Sequence, residues 1–226
     1  MARMARAVMP DVPHHLTQRG VRSMRIFHSE SDFREYIRLL AEQAPLHALD
    51  IISYCLMSNH VHLVCVPRRE DSLSGAVGEA HRRYTREINA RQGVKGHLFQ
   101  ERFFSCPMDT RHFRAAVPYI LNNPVKARIC ERAEEYPWSS AAFNLGLRDS
   151  DPLAGPTEYS QELADLPILM RESQTDRESI EALRRCTRTG RPCGSDSFVR
   201  ALEILSGRKL MPAKRGRHPK RERSTD

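Results

Sequence analysis

His60-Val61-His62 closes the run Tyr54-Cys55-Leu56-Met57-Ser58-Asn59 and carries the clearest chemical potential in the chain. On an extended strand, residues two apart share a face, so both imidazoles project to the same side of a sheet. Two neutral imidazoles placed that way can grip one divalent cation through their ring nitrogens. Such a cation needs a third protein ligand and a reacting partner. Tyr119 and Asn123 lie four residues apart in a helical pattern and therefore on one helical face. A side-chain amide oxygen can complete the shell of a hard cation, and a phenol can attack an electrophile that the cation polarises. Spacing alone also permits a plainer reading, two satisfied polar side chains on a half-buried strand.

The elements that must position these groups follow from periodicity. Residues 14–19 alternate and stop at Gly20, which predicts a first strand. Ser29 or Ser31 caps a helix over about 32–44 with Phe33, Tyr36, Ile37 and Leu40 on one face, and Pro45 stops it. Residues 50–57 and 60–66 read as apolar strands joined by a tight turn at Ser58-Asn59 and closed by Pro67. Asp71 or Ser72 opens a long polar helix to about Arg91, ending near Gly93. Residues 102–107 read as a fourth strand. Asp109 then caps a helix carrying Phe113, Val117, Tyr119, Ile120 and Asn123, and Pro124 ends it. Pro118 inside that pattern removes a donor and clashes with the preceding turn, at about 3 kcal/mol, so the helix is expected to start effectively near Pro118.

This order predicts an α+β, ferredoxin-like split βαβ fold. Its four-stranded antiparallel sheet would carry helices on one face and leave the other free to meet a ligand. Beyond Pro137 the pattern weakens into loops and two helical stretches near 176–188 and 195–205, the second capped by Ser195. These form a small helical appendage, residues 139–206, before a basic tail, residues 207–226.

At 226 residues, 40% hydrophobic and 28% charged, the chain fits a globular rather than a disordered protein. No run of about 18 apolar residues exists, so no membrane span is expected. The apolar stretch after the basic start is too short for a signal peptide, which predicts a cytoplasmic location. The six cysteines contain no C-x-x-C pair, which argues against a disulfide framework or a structural zinc site. Net charge is +8, and the tail holds eight Lys or Arg against two acidic residues. A second basic stretch, 81–114, has eight Lys or Arg against three acids, whereas 131–181 is acidic. That placement suits a polyanion partner. Arg82, Arg83 and Arg102 are candidate DNA contacts, and Lys214, Arg215 and Arg217 could lie in a groove as an extended basic arm.

The segments Tyr54-Cys55-Leu56-Met57-Ser58-Asn59-His60-Val61-His62-Leu63-Val64 and Tyr119-Ile120-Leu121-Asn122-Asn123-Pro124-Val125-Lys126-Ala127 resemble the two defining motifs of the single-tyrosine HUH transposases. The match is closer to their REP-associated tyrosine transposase branch. Thr17-Gln18-Arg19-Gly20, Gly96-His97-Leu98-Phe99-Gln100-Glu101-Arg102-Phe103 and the stretch opening Arg191-Pro192-Cys193-Gly194-Ser195 also resemble that branch. The likeness is strong over residues 14–138 and looser beyond, and it implies that residues 1–138 form the catalytic domain. It further implies that His60, His62 and Asn123 bind Mg²⁺ or Mn²⁺. Tyr119 would attack single-stranded, hairpin-forming repeat DNA, forming a 5′-phosphotyrosine and releasing a 3′-hydroxyl. A free phenol has a pKa of about 10, so such a nucleophile needs a neighbouring positive charge or base. Relatives in the wider family exchange the tyrosine helix in a homodimer, while the REP-associated branch includes monomers; both states stay open.

Rival assignments exist for several residues. Tyr84 has basic neighbours but lacks an amide four residues on, and a tyrosine on an amphipathic helix is commonly a packing residue. His81 and His97 read as surface or DNA-facing, and Trp138 as a core anchor. A non-catalytic nucleic-acid-binding protein would read its ligand with aromatics on the sheet, where Tyr54 is the main candidate. A metallohydrolase would need carboxylate ligands, and the nearest acids after the histidine pair, Glu70 and Asp71, lie beyond the strand.

Overall fold

The alternating segments form four strands, β1 (His14–Arg19), β2 (Leu49–Met57), β3 (His60–Pro67) and β4 (Phe104–Pro107). A computed structural model describes residues 6–172 and 177–211. Its sheet has the order β2-β3-β1-β4 with antiparallel pairing throughout. Helices α1 (Glu30–Leu46), α2 (Glu79–Gln92) and α3 (Thr110–Leu121) follow β1, β3 and β4, and the one-turn α4 spans Asn123–Lys126. Beyond them lie α5 (Ala141–Asn144), α6 (Leu166–Glu172), α7 (Arg177–Thr189) and α8 (Asp196–Ser206). The β1-α1-β2-β3-α2-β4 order is the expected α+β, split βαβ arrangement.

Two cores sandwich the sheet. On one face, Leu16, Leu56, Val61 and Leu63 pack with Tyr36, Leu39 and Leu40 of α1 and Tyr84 and Ile88 of α2. On the other, Ile52, Val64, Val66 and Cys106 pack with Phe113, Val117 and Ile120 of α3 and with Ile180 and Leu183 of α7. The second face is therefore not free, as the sequence had suggested. β3 carries apolar residues on both sides, and at its start His60 is half-buried and His62 buried beneath α3. Nor do residues 139–206 stand apart, because α7 joins this second core.

Local boundaries have clear causes. Asp109 accepts a bond from His112 N at 2.9 Å and caps α3, and Ser195 accepts from Phe198 N at 3.2 Å and caps α8, both as expected. Gly93, in the left-handed region at φ 65°, ends α2. β4 begins at Phe104 rather than at Arg102, because Glu101 also adopts a positive φ of 56° and turns the chain just before it. Pro45 lies within α1 and Pro118 within α3, each in the last turn. α3 nevertheless starts at Thr110 rather than at Pro118, because packing of Phe113, Val117 and Ile120 offsets the bond that the proline removes.

The two-residue turn Ser58-Asn59 is pinned from outside. Ser58 O accepts from Ile26 N at 2.8 Å and Phe27 N at 3.1 Å, and Asn59 O accepts from Gly20 N at 2.9 Å. Gly20 lets the loop that makes these contacts fold back on itself, since a Cβ there would lie 2.3 Å from Met24 O. The hairpin that presents the histidines is thus held from both ends. Among the described residues no helix is long and apolar enough to cross a membrane.

Candidate active site

Strand pairing places His15 on the same face as His60 and His62. Thr17 pairs with His62 and His15 with Val64, so His15 lies diagonally across from His62. The His60 and His62 ring centres are 5.1 Å apart and nearly perpendicular, at 89°. From the opposing side, α3 brings the Tyr119 ring to 5.9 Å from His62 and 6.5 Å from His15. Asn123 opens α4 beside it. These groups, with Arg19, Phe104 and Arg184, line one cleft of about 510 Å³. The four residues singled out for chemistry therefore converge within one chain.

Hydrogen bonds orient the donor atoms. Asn59 Nδ2 donates to Ser23 O at 3.2 Å, which turns Asn59 Oδ1 toward His60 Nδ1, 2.6 Å away. An amide oxygen can only accept, so Nδ1 carries the His60 proton and Nε2 keeps its lone pair. Asn123 Nδ2 donates to Tyr119 O at 3.2 Å and Ile120 O at 3.0 Å, leaving its oxygen as the end able to meet a cation. His62 Nδ1 lies 3.0 Å from His15 Nε2, and His15 Nδ1 lies 2.8 Å from Thr187 Oγ1. Burial holds these rings neutral. It lowers His15 to about 3 and, with the Arg19 charge adding, His60 to about 4. It also pushes His62 well below its ordinary value, helped by the neighbouring His15, His60 and arginines.

Tyr119 is 6% exposed and has positive charge on two sides. Arg184 Nε donates to its hydroxyl at 3.1 Å, with the guanidinium carbon 5.2 Å from the ring centre. Lys126 Nζ sits 4.9 Å from the same centre, and burial, then the Arg184 charge, lowers the Lys126 pKa. Tyr84 is fully buried between α1 and α2 and donates to Ile26 O at 2.7 Å, far from any cation-binding pair.

The candidate DNA contacts lie elsewhere. Arg82 pairs with Glu79 at 2.5 Å, and Arg83 with Glu42 of α1. Arg82 and Arg102 line a second cleft of about 470 Å³ with Phe99 and Phe103, whereas Lys214, Arg215 and Arg217 fall outside the described residues. His81, expected at the surface, is buried; its Nε2 meets Tyr36 OH at 2.8 Å and its ring stacks on Phe99. Trp138 stacks on Phe33 at 4.7 Å, as a core anchor should. Among the cleft residues that escaped the sequence reading are His15, Arg184 and Thr187. His15 carried only its strand alternation as a signal, while Arg184 and Thr187 lie on a helix with no motif of its own.

A family model described as "Transposase IS200 like" matches residues 11–123, a span holding both histidines, Tyr119 and Asn123. No curated protein matches the chain. Among solved structures it is similar to a REP-associated tyrosine transposase bound to a REP hairpin. That likeness has 16% identity and a TM-score of 0.53, covering 70% of this chain and 93% of the other, and it bears on the fold alone. The chain is also similar to a candidate transposase from Deinococcus radiodurans R1, at 16% identity and a TM-score of 0.38, over 54% of this chain and 97% of that one.

Proposed function

The chain belongs to the IS200-like transposase family, and from that premise we propose that it is a divalent-metal-dependent, single-strand-specific DNA strand transferase acting on hairpin-forming repeat DNA. Family membership implies DNA cleavage and transfer; the residue roles and the substrate are the finer reading. One observation carries that reading: Tyr119, His60, His62 and Asn123 meet in a single cleft, with Arg184 bonded to the phenol oxygen.

The donor set fits a hard or borderline divalent ion. Among the described residues no group of three or more His, Cys, Asp or Glu is arranged to hold a metal, and the Asn123 oxygen is the neutral donor that would complete the histidine pair. His60 and His62, both neutral, and the Asn123 oxygen would hold Mg²⁺ or Mn²⁺. When bound, the ion would polarise the scissile phosphate and stabilise charge on the departing 3′ oxygen.

Tyr119 supplies the nucleophile. Its phenol oxygen bonds to phosphorus while the bond from phosphorus to the 3′ oxygen breaks; the phenol gives up a proton and the departing oxygen gains one. Arg184, donating to that oxygen, favours its anionic form as the proton leaves. The product is a 5′-phosphotyrosine and a free 3′-hydroxyl. The covalent ester conserves the bond, so a strand can be rejoined without ATP.

We assign catalysis to residues 1–138 completed by α7, and backbone contacts to the 207–226 tail. Tyr119 reaches the histidines of its own chain, so the chemistry would need no exchange of the tyrosine helix between protomers. A passive sheet-face reader fits less well, because helices pack on both faces of the sheet.

The test is incubation with labelled single-stranded hairpin DNA and Mn²⁺, followed by denaturing electrophoresis. Wild type and Tyr84→Phe should form a protein–DNA adduct, and Tyr119→Phe none. Cleavage without an adduct would favour a water nucleophile and overturn the proposal.

A further inference from the structure

We propose that His15 and Thr187 form a one-directional hydrogen-bond relay that locks His62 in the tautomer a metal ligand requires, a positioning role that rests on His62 being a ligand. The logic starts at a helix carbonyl. Thr187 Oγ1 lies 2.8 Å from Leu183 O, one turn back in α7. A carbonyl cannot donate, and two bare acceptors at that distance would repel, so the single hydroxyl proton lies between these oxygens. Thr187 Oγ1 then has only lone pairs for its other neighbours. His15 Nδ1, 2.8 Å away, must donate to it. Cys106 Sγ, at 3.2 Å, fills the second lone pair with its thiol proton, and burial pushes that thiol up to about 12.

A neutral imidazole carries one proton, so His15 Nε2 is a bare acceptor. His62 Nδ1, 3.0 Å from it, must therefore be the protonated nitrogen, which leaves the His62 Nε2 lone pair unprotonated. Donation runs from His62 to His15 to Thr187 to Leu183. His15 and Thr187 are 2% exposed and Leu183 is fully buried, so water does not compete for these bonds. Reversing the relay would face Leu183 O with a lone pair and place a proton on His62 Nε2, blocking a cation.

Nitrogen-15 imidazole spectra of the full chain, metal-free at pH 7, test this directly. His15 and His62 should both be protonated at Nδ1; a His62 protonated at Nε2 overturns the relay. Thr187→Val removes both hydroxyl functions at similar shape, and its Mn²⁺ affinity should drop about 10- to 100-fold, while Thr187→Ser recovers most of the loss. Affinity in Thr187→Val equal to wild type also overturns the relay. A wild type that binds no Mn²⁺ defeats the ligand assignment instead, and the nitrogen signals still decide the relay by themselves.

Discussion

Replacing Arg184 with glutamine asks whether α7 takes part in the chemistry or only walls the cleft. Arg184 Nε donates to the Tyr119 hydroxyl at 3.1 Å. As the phenol attacks, its oxygen loses a proton and gains negative charge, so this bond becomes charge-assisted and worth about 1.5–3 kcal/mol. Coulomb's law at that separation with an effective dielectric near 20 gives roughly 5 kcal/mol. Arg184 is exposed, however, and solvent screening selects the lower part of the range. A loss of about 1.5–2 kcal/mol is roughly a 10- to 30-fold slower cleavage. Because the bond strengthens only on the way to the transition state, the loss belongs in the rate at saturating DNA rather than in DNA affinity. Single-turnover cleavage of a hairpin substrate with Mn²⁺, with affinity measured by anisotropy, separates the two. Arg185→Gln, an exposed neighbour on the same helix, controls for removing one positive charge. Equal rates for the two variants, or a drop confined to affinity, would refute the role given to Arg184.

Two further outcomes follow from burial and charge. His81 is bonded to Tyr36 and stacked on Phe99, and burial, with the Arg6 charge adding, lowers its pKa to about 3. The unfolded chain binds that proton near the ordinary value of 6.5, so stability is fully present above pH 6.5 and is lost as pH falls toward 3. Each such histidine steepens the loss by about 1.4 kcal/mol per pH unit. Urea midpoints at pH 7, 6 and 5 should fall, and His81→Gln should flatten the trend; a wild-type midpoint constant between pH 6.5 and 5 contradicts this. Removing residues 212–226 strips six Lys or Arg, among them Lys214, Arg215 and Arg217. With a slope of about 0.7 per phosphate contact on single strands, loss of three contacts would flatten the salt dependence of binding by about 2. An unchanged slope would show that the tail makes none.

Much of the cleft's geometry was legible because it is local. A period of two puts His60 and His62 on one face, and Asp109 announces its helix through its cap. The single helix expected to carry Tyr119 and Asn123 as far as Pro124 ends instead at Leu121, and Asn123 reaches the same cleft from the start of α4. What stayed hidden is non-local. Nothing around His15 says that β1 pairs between β3 and β4, yet that pairing sets it beside His62. Arg184 and Thr187 lie on a strongly amphipathic helix whose apolar side could dock on any free surface, and only the sheet's second face determines which. His81 misled because its neighbours Arg82 and Arg83 are exposed or paired at the surface, while helical rotation turns His81 itself inward. Pro118 misled for the opposite reason: its general cost is real, but in the final turn of a helix whose buried face carries Phe113, Val117 and Ile120, packing offsets one missing bond.

The placement of Arg184 constrains rejoining as well as cleavage. In the return step of the proposed reaction a 3′-hydroxyl would attack the phosphotyrosine, with the Tyr119 oxygen as the leaving group. The transition state is shared, so the donor that stabilises the incoming phenolate stabilises the departing one. A cation at this position would therefore accelerate both directions. Arg184→Gln should slow both cleavage and rejoining, cleavage by roughly 10- to 30-fold. A variant slowed in cleavage but not in rejoining would mean that Arg184 meets the DNA rather than the phenol when substrate is bound.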